Sequence, residues 1–325
     1  DYKLQFNCTY GALSNDCMEA ISALSITLDV PSTIEVMKKH LSLLISQATK
    51  INVFDCSEEQ GVLDNTIEQT VESIDKLDEA IKNLNVKINN AIKNYVPNPA
   101  GEDVTAFYIF NNGFDEDINF ESDNSNATEA NKTYLTFGWT PSVSSNSTAA
   151  TIEYGYEGVI NGKGNVKAPA NDDNGVADGG ALVMCVGWSG SVTYQNIPVT
   201  LKAGVYTISY KTYNGNIKNV EALIATSLVG FAPTTGDPYI CNENITYKNQ
   251  VWEEHSYSFE LANETEGRFQ IGIKPIDNTY SYNAPELFVD EISVRYSSPV
   301  VAAKETLEEI INEATLIVTS KTNVG

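Results

Sequence analysis

The sequence predicts an α+β chain of several modules: a three-helix bundle over residues 1–98, an antiparallel β-sandwich over 102–297 and the start of a second helical module from 298. Three observations carry this prediction. Apolar residues recur in steps of three and four along residues 63–95. They alternate with polar residues in short runs within 181–296. A helical pattern returns near the C-terminus.

The N-terminal region is predicted to hold three helices. The apolar stripe over 63–95 predicts a long helix, a second stripe over 34–48 predicts a shorter one, and an earlier helix near 16–28 would complete a bundle. Ser32 with Glu35 and Ser57 with Gln60 have the spacing of capping boxes, in which the side chains satisfy free backbone N–H groups. We therefore expect helices to begin at these serines.

The central region is predicted to be almost entirely strand and turn. Gly, Asn, Asp and Pro separate ten short runs, a spacing typical of a sandwich. The runs are 105–110, 134–138, 151–155, 181–188, 191–200, 204–213, 220–226, 254–261, 268–274 and 287–296.

Two of these runs are especially informative. In 204–213, Tyr206 and Ile208 fall on one face while Thr207 falls on the other, which is the alternation of a half-buried antiparallel strand. In the closing run, Asp290 shares the phase of the apolar residues around it, and a carboxylate on an apolar face needs a partner.

The C-terminal segment repeats an earlier one. MKKHLSLLISQATKI at 37–51 aligns without gaps to AKETLEEIINEATLI at 303–317, and Ser298 with Pro299 provides a helix start before the second segment. Either two core helices resemble each other by coincidence, or the natural protein alternates helical and sheet modules in tandem. In the second case this chain is expected to be an excerpt of a longer protein.

Composition narrows the classes of partner. The 325 residues include 43 acidic and 20 basic side chains, for a net charge of −23, and no basic cluster interrupts this excess. Nucleic acid and anionic membrane surfaces are therefore not expected partners. No run reaches the roughly 18 apolar residues of a membrane span. Five cysteines without a CxxC motif argue against zinc, and a Cys185–Cys241 bridge stays open.

Several ordered pieces of the central region resemble one known family. The pieces are NNGFD at 111–115, Gly138 with Trp139, ADGGALVM at 177–184, Trp188, VTLKAGVYTISY at 199–210 and VDEISV at 289–294. In this order they resemble the galactose-binding-like jelly rolls found as carbohydrate-binding modules in bacterial surface and secreted proteins. The resemblance implies a jelly-roll sandwich, noncatalytic glycan binding and an extracellular or cell-surface location.

Aromatic side chains are the candidate ligand-binding residues, because rings stack on the apolar C–H faces of sugars while nearby amides and carboxylates bind the hydroxyls. The candidates are Tyr239, Tyr280 and Tyr282 in polar loops, with Trp188 and Tyr194 flanking another loop. The alternative is that these are ordinary exposed aromatics. Trp139 and Trp252 are instead predicted to serve the core.

The resemblance also implies a structural calcium ion, held where the first and last strands of the sandwich meet. The positions that match the family's ligands are Asp115 and Asp290. Calcium takes six to eight oxygen ligands, so backbone carbonyls would complete the shell. The alternative is that Asp290 accepts hydrogen bonds from backbone amides, or lies at a β-bulge that turns it to solvent.

No motif for catalysis is present. The chain has two histidines without metal-ligand spacing and lacks a G-x-S-x-G elbow, although two carboxylates of a glycosidase could be hidden among 43 acids. The sequence thus predicts a noncatalytic module that binds a glycan or polysaccharide, carried on a helical spacer, with tandem modules of the same protein as neighbours. The first alternative is an adhesive or structural repeat that contacts protein. In the second alternative, the helical bundle makes the interaction with the partner and the sandwich is the spacer.

Overall fold

A computed structural model describes residues 33–66, 70–121, 134–143, 147–160, 165–185, 192–215, 224–241, 244–246, 250–275 and 286–322. It confirms the predicted fold class of N-terminal helices, an antiparallel β-sandwich and a C-terminal helix. The helices are α1 (Thr33–Ile51), α2 (Ser57–Asn65), α3 (Val71–Asn94), α4 (Thr105–Tyr108) and α5 (Pro299–Thr322). Among the helices described, none combines the length and apolar character that crossing a membrane requires.

The strands follow the predicted runs in most places. They are β1 (Glu102–Asp103), β2 (Trp139–Val143), β3 (Thr148–Glu153), β4 (Glu157–Val159), β5 (Asn165–Lys167), β6 (Gly180–Cys185), β7 (Val192–Asn196), β8 (Val199–Leu201), β9 (Gly204–Asn214), β10 (Ile224–Ser227), β11 (Val229–Pro233), β12 (Tyr239–Cys241), β13 (Asn244–Thr246), β14 (Trp252–Leu261), β15 (Thr265–Pro275) and β16 (Glu286–Ser297). The predicted run 191–200 is divided between β7 and β8. Residues 134–138 contribute only an isolated bridge between Thr136 and Trp139.

Two antiparallel sheets form the sandwich. Sheet 1 has the strand order β14-β9-β16-β6-β3, with β1 paired to β16. Sheet 2 has the order β12-β11-β15-β10-β13, with β7 and β8 on the other edge of β15 and β2 beside β7. β4 and β5 form a separate hairpin. The long strand β15 is therefore the centre of sheet 2, and β9 and β16 are the centre of sheet 1.

The main core lies between the sheets. From sheet 1 the predicted face of β9 is buried, with Tyr206 and Ile208 inside and Thr207 partly exposed, so that alternation is confirmed. Aromatic rings join the two sheets: Phe231 of β11 stacks on Phe259 of β14 at a centroid distance of 5.8 Å. Burial of such rings is the largest favourable contribution to the stability of the sandwich.

A second, smaller core covers part of the outer face of sheet 1. Phe288 of β16 lies there opposite Val183 of β6, and both are fully buried. Phe120 and Tyr156, from the segments that flank β3, pack over them. We call this cluster the minor core. It closes one half of the outer face of sheet 1 to solvent.

The long predicted helix is broken in two. α2 ends at Asn65 and α3 begins at Val71, which is 76% exposed and does not join the buried stripe as predicted. Each end has a side-chain partner for its backbone. Lys38 Nζ donates to the Thr66 carbonyl at 2.8 Å, and Thr70 Oγ1 accepts the Ser73 N–H at 3.1 Å. Hydrophobic periodicity alone cannot show such a break, because the stripe continues across it.

The capping box predicted at Ser57 and Gln60 is wrong. The Ser57 N–H and hydroxyl both donate to the Asp55 carboxylate, at 3.0 and 2.6 Å, and the Gln60 amide donates to Asp64. Asp55 is the stronger acceptor because its carboxylate is charged. Ser32 and the helix predicted over 16–28 lie outside the described residues.

The run 105–110, predicted as a strand, contains the helical turn α4. β1 pairs with β16 up to Arg295, and the Thr105 hydroxyl then accepts the Val294 N–H at 2.8 Å in place of a backbone carbonyl. The Thr105 N–H donates to Asp103 Oδ1 at 2.9 Å and the turn closes with Ile109 N–H on the Thr105 carbonyl. A side chain thus ends the strand pairing here.

α4 joins the helices to the sandwich. The ring of Phe107 stacks on Tyr95, just after α3, at a centroid distance of 3.6 Å. The next residue, Tyr108, is fully buried and contacts Tyr206 and Phe269 of the two sheets. The helices and the sandwich therefore share one continuous core.

α1 and α5 have matching sequences in opposite environments. Leu41 of α1 is fully buried, whereas Leu307, its aligned position in α5, is 56% exposed. α5 extends from β16 and is fastened near its start by the Arg295–Glu305 ion pair at 3.1 Å. The structure confirms that this helix begins at Pro299, as the sequence predicts.

Leu41→Ala and Leu307→Ala form a matched pair of substitutions. We expect Leu41→Ala to lower the free energy of unfolding by about 2 to 5 kcal/mol, because it leaves a cavity in the core. Leu307→Ala should change it by less than about 0.5 kcal/mol, because the side chain is already solvated. Urea unfolding followed by circular dichroism measures both. Equal losses for the two variants would contradict the burial described.

Candidate functional site

The NNGFD loop is organised by its own side chains. Asn111 has a positive φ of 48°, and its side chain accepts the Glu116 N–H at 3.0 Å and donates to the Glu116 carbonyl at 2.7 Å. Trp139 Nε1 donates to the Asn111 carbonyl at 3.2 Å, and its ring packs on Phe114 at 5.2 Å. The two pieces of the opening motif, 111–115 and 138–139, are therefore in direct contact, and Trp139 serves the core as predicted.

The structure brings Asp115 and Asp290 together. A Cβ atom built on Gly113 would lie 2.6 Å from Asp115 Oδ2 and 3.7 Å from Asp290 Oδ1. One atom-sized position beside Gly113 therefore faces oxygens of both carboxylates. We call these two residues the carboxylate pair.

Asp290 lies at a β-bulge and is buried. The register between β16 and β9 shifts between Asp290 and Ser293, and Glu291 has a positive φ of 48°. Asp290 is only 4% exposed. Its carboxylate accepts the Glu291 N–H at 2.6 Å and the hydroxyl of Tyr154. The bulge and the backbone donor match the alternative considered from the sequence, but the side chain does not turn to solvent.

Burial sets the electrostatics of the pair. It raises the pKa of Asp290 to about 7, against the opposing hydrogen bonds from Tyr154 and the Glu291 N–H, and the nearby charge of Asp115 raises the pKa further. Burial also raises the pKa of Asp115, although the Gly180 N–H, 3.2 Å from Oδ1, opposes this. A cation between the two carboxylates would offset the cost of burying the negative charge of Asp290.

A loop between β5 and β6 lies over this site. Lys211 of β9 forms ion pairs with Asp173 of that loop, at 3.1 Å, and with Glu291 of the bulge. Asn174 also donates to Glu291, at 3.3 Å. A surface cavity of about 390 Å³ opens beside the bulge, between Lys211, Glu254 and Asn112. Lys211 therefore links the bulge to the covering loop.

The two carboxylates can supply part of the ligand shell of a hard cation. Within the described ranges, no three His, Cys, Asp or Glu side chains converge on a common metal position. A set of two carboxylates excludes a site built on side chains alone, but it suits calcium, which accepts backbone carbonyl oxygens as well. Asp115 and Asp290 are the side chains that would hold such an ion.

A second candidate surface lies on the outer face of sheet 2. In β15 the main-core residues Phe269, Ile271 and Ile273 alternate with Arg268, Gln270 and Gly272, which lie on the opposite face of the sheet. On that face Arg268 is half-buried and Gln270 is only 8% exposed. Gln195 of β7 is the cross-strand partner of Gln270, and its Nε2 donates to Gln270 Oε1 at 3.5 Å. Gly230 of β11 lies on the other side of Gln270. We call Gln195, Gln270 and Arg268 the amide strip, named for its two primary amides.

The residues of the amide strip are not among the predicted site residues, although their alternation is visible in the sequence. The run RFQIGIK at 268–274 places Arg268, Gln270 and Gly272 opposite to the three apolar residues. Only aromatic residues were predicted by number as ligand contacts, and the amides expected beside them were not assigned to positions. Period-two spacing within a predicted strand would have assigned these polar residues to the outer face.

The predicted aromatic residues lie in different places. Tyr239 belongs to strand β12 and not to a loop, and its half-buried ring packs on Phe259 at 5.5 Å. Tyr194 lies in β7 opposite Ile271, and its side chain is outside the described part of the structure. Trp188, Tyr280 and Tyr282 lie outside the described residues.

Two further sequence-based expectations are resolved. Trp252 packs on Tyr213 at the edge of the minor core and donates from Nε1 to the Asn171 carbonyl at 3.1 Å, so its structural role is confirmed. No disulfide joins Cys185 to Cys241.

Comparison with known proteins shows similarity to solved structures only. No protein-family profile and no curated protein sequence matches the chain. Among solved structures, the CBM22-1 xylan-binding domain of Paenibacillus barcinonensis Xyn10C is 11% identical, with 53% of this chain and 99% of that domain covered and a TM-score of 0.32. TmCBM61, solved with β-1,4-galactotriose, is 13% identical, with 57% and 96% covered and a TM-score of 0.31.

Larger proteins are matched over a part of their length. The MgGH51 α-L-arabinofuranosidase is 16% identical, with 49% of this chain and 23% of that chain covered and a TM-score of 0.34. The chain likewise spans 19% of the enzymatically active domain of bacteriophage CBA120 tailspike protein 4. Several matched structures are carbohydrate-binding modules, as the sequence resemblance indicates, but similarity this low assigns neither ligand nor activity.

The raised pKa of Asp290 predicts a pH-dependent stability. With chelator present, the folded state keeps the Asp290 proton up to about pH 7, whereas the unfolded state loses it near pH 4. The free energy of unfolding should therefore fall as the pH rises from about 4 to about 7. Asp290→Asn should flatten this slope, which urea titrations at several pH values measure.

Glu286, whose burial also raises its pKa to about 7, should leave a residual slope in that variant. Asp237→Asn, at an exposed site, is the control and should keep the full slope. A slope unchanged by Asp290→Asn would contradict the burial of its carboxylate.

Proposed function

We propose that the sandwich is a noncatalytic glycan-binding module that uses the outer face of sheet 2. The observation that carries this proposal is the amide strip. A primary amide both donates and accepts hydrogen bonds, as a sugar hydroxyl does, so neighbouring amides can bind adjacent hydroxyls of one ring. Arg268 adds donors at one end of the strip.

The strip is held in place before any ligand binds. Gln270 Nε2 donates to the Leu228 carbonyl at 2.9 Å, and Arg268 Nη1 donates to the Asn196 carbonyl at 3.2 Å. Fixed side chains lose little conformational entropy on binding. The space beside Gly230 is filled, because a Cβ atom built there would contact the Tyr239 carbonyl oxygen and Ile240 Cα of β12. A sugar ring would therefore approach from the side of Gln195 and Arg268, which are both half-buried.

The aromatic candidates connect to the same surface along the chain. β7 begins at Val192, opposite Ile273, and β15 ends at Pro275. The segment with Trp188 therefore leads into one strand of the strip, and the segment with Tyr280 and Tyr282 leaves the other at the same end. Rings supplied from there would add stacking to the hydrogen bonds of the strip.

We place this module in a bacterial protein that acts at or outside the cell surface, with the helices as its spacer. This context rests on the sequence resemblance. The net charge of −23 is compatible with a neutral glycan as partner.

Gln195→Ala and Gln270→Ala test the amide strip. On a glycan array followed by calorimetry with the best ligand, each should weaken binding by about tenfold, because each removes a hydrogen-bond pair of about 1.4 kcal/mol. Ser258→Ala, on the exposed outer face of sheet 1, is the matched control and should bind like the parent. Alanine at Trp188, Tyr280 or Tyr282 tests stacking in the same assay.

Two outcomes would favour another function. If the folded parent protein binds no glycan on a broad array, the adhesive or structural alternative that contacts protein is preferred. Release of reducing ends from the bound glycan would show a glycosidase and contradict a noncatalytic module. Binding that survives both glutamine substitutions would move the site away from the strip.

We also propose that the carboxylate pair binds a structural calcium ion. The position beside Gly113, between the exposed Asp115 and the buried Asp290, supports this, as do the raised pKa values of both acids. An ion there would neutralise charge at the junction of the NNGFD loop and the bulge of β16.

Calcium should raise the midpoint of thermal unfolding of the chelator-treated protein. At 100 times its Kd, an ion that binds only the folded state stabilises it by about 2.7 kcal/mol. Asp115→Asn and Asp290→Asn should each abolish the shift, and Gly113→Ala should reduce it, because the new methyl group would occupy the space between the carboxylates. Asp178→Asn is the control from the nearby loop. A midpoint that calcium leaves unchanged in the parent would overturn the proposal.

A further inference from the structure

α5 carries an exposed apolar stripe. Val300 is 80% exposed, and Leu307, Ile310, Ile311 and Ile317 are each between 53% and 56% exposed. With Ala314 these residues recur in steps of three, four and seven, so they lie along one side of the helix. Exposing so many large side chains on one helix face is unfavourable in water, which indicates that the face is normally covered.

The stripe matches the buried face of α1 position by position. Leu41, Leu44, Ile45, Ala48 and Ile51 align with Leu307, Ile310, Ile311, Ala314 and Ile317, and Ile34 aligns with Val300. All six residues of α1 are at most 8% exposed.

Aligned threonines of α1 and α5 also make the same side-chain hydrogen bond. Thr49 Oγ1 donates to the Ile45 carbonyl at 2.9 Å, and the aligned Thr315 Oγ1 donates to the Ile311 carbonyl at 2.7 Å. The repeat thus extends from sequence to side-chain conformation, which weakens the coincidence considered from the sequence.

The structure shows what covers such a face. α1 packs on the hairpin formed by α2 and α3, whose buried stripe includes Leu77, Leu84 and Ile88. Lys38 of α1 closes the contact by donating to the Thr66 carbonyl at the end of α2. α5 has Lys304 at the aligned position, where it now pairs with Glu308 at 3.7 Å.

We propose that α5 is the first helix of a second bundle, and that its apolar stripe docks a helical hairpin of the α2–α3 type. A second copy of this chain does not offer that hairpin, because Leu77 and Leu84 are already fully buried under the copy's own α1. The partner is therefore a separate short helix and long helix with the same apolar spacing. Lys304 then caps the end of the short helix. This inference is independent of glycan or calcium binding.

The chain itself supplies the probe. In an extended variant, a second copy of residues 52–96 follows Ile317 directly, in place of residues 318–325, so that the hairpin has the spacing it has after Ile51. We expect hydrogen exchange of the amides in 307–317 to slow by at least about tenfold relative to the unextended chain, because docking adds at least 1.4 kcal/mol of local stability.

Two double variants of the extended chain serve as test and control. Leu307→Asp with Ile311→Asp should restore fast exchange. Asn312→Asp with Leu316→Asp, on the opposite side of α5, should leave exchange slow, since Leu316 occupies the position of the exposed Lys50.

Two results would overturn the proposal. In one, the added hairpin fails to protect α5, or protects it equally in both double variants. In the other, light scattering shows that the unextended chain is a dimer which Leu307→Asp with Ile311→Asp dissociates, so that a second copy covers the stripe. The melting temperature of the sandwich reports folding in every variant, because the stripe residues of α5 contribute nothing to its core.

Discussion

The aromatic contacts made by α4 are the interaction on which the rest of the structure depends. Phe107 stacks on Tyr95 of the helical layer, while Tyr108 lies between the two sheets against Phe269. Two consecutive residues thus contact two different parts of the structure, Phe107 the helices and Tyr108 the sandwich. The NNGFD loop follows within a few residues. Glu116, directly after it, accepts a hydrogen bond from Ser46 and forms an ion pair with Lys50 of α1. One short stretch therefore fixes the helices, the sandwich and Asp115 relative to one another.

The two outer faces of the sandwich differ in what they leave open. On sheet 1 the minor core occupies one half, and Lys211 with its acidic partners lies beside it. On sheet 2 the described outer face carries the polar side chains Gln195, Gln270 and Arg268. Apolar cover on one face and ordered polar groups on the other are the reason why we propose sheet 2 as the face that binds a polar ligand.

Patterns that repeat along the chain could be predicted from the sequence, and contacts between distant segments could not. The alternation of β9 and the heptad-like stripe of α3 are local consequences of burial, so periodicity found them. The break at Thr66 depends on Lys38, and the helical turn at Thr105 depends on Val294, almost 190 residues away. For the carboxylate pair, Asp115 and Asp290 came from resemblance to a family, because no rule of spacing joins residues at opposite ends of a sandwich.

The bulge at Glu291 also determines which changes of chain length the closing strand can accept. Phe288 belongs to the minor core and Val294 to the main core, although both are even-numbered positions of one strand. Deleting Glu291, or inserting one residue beside it, would turn either Phe288 or Val294 toward the wrong layer. Homologous chains should therefore keep β16 at constant length while their surface loops gain and lose residues.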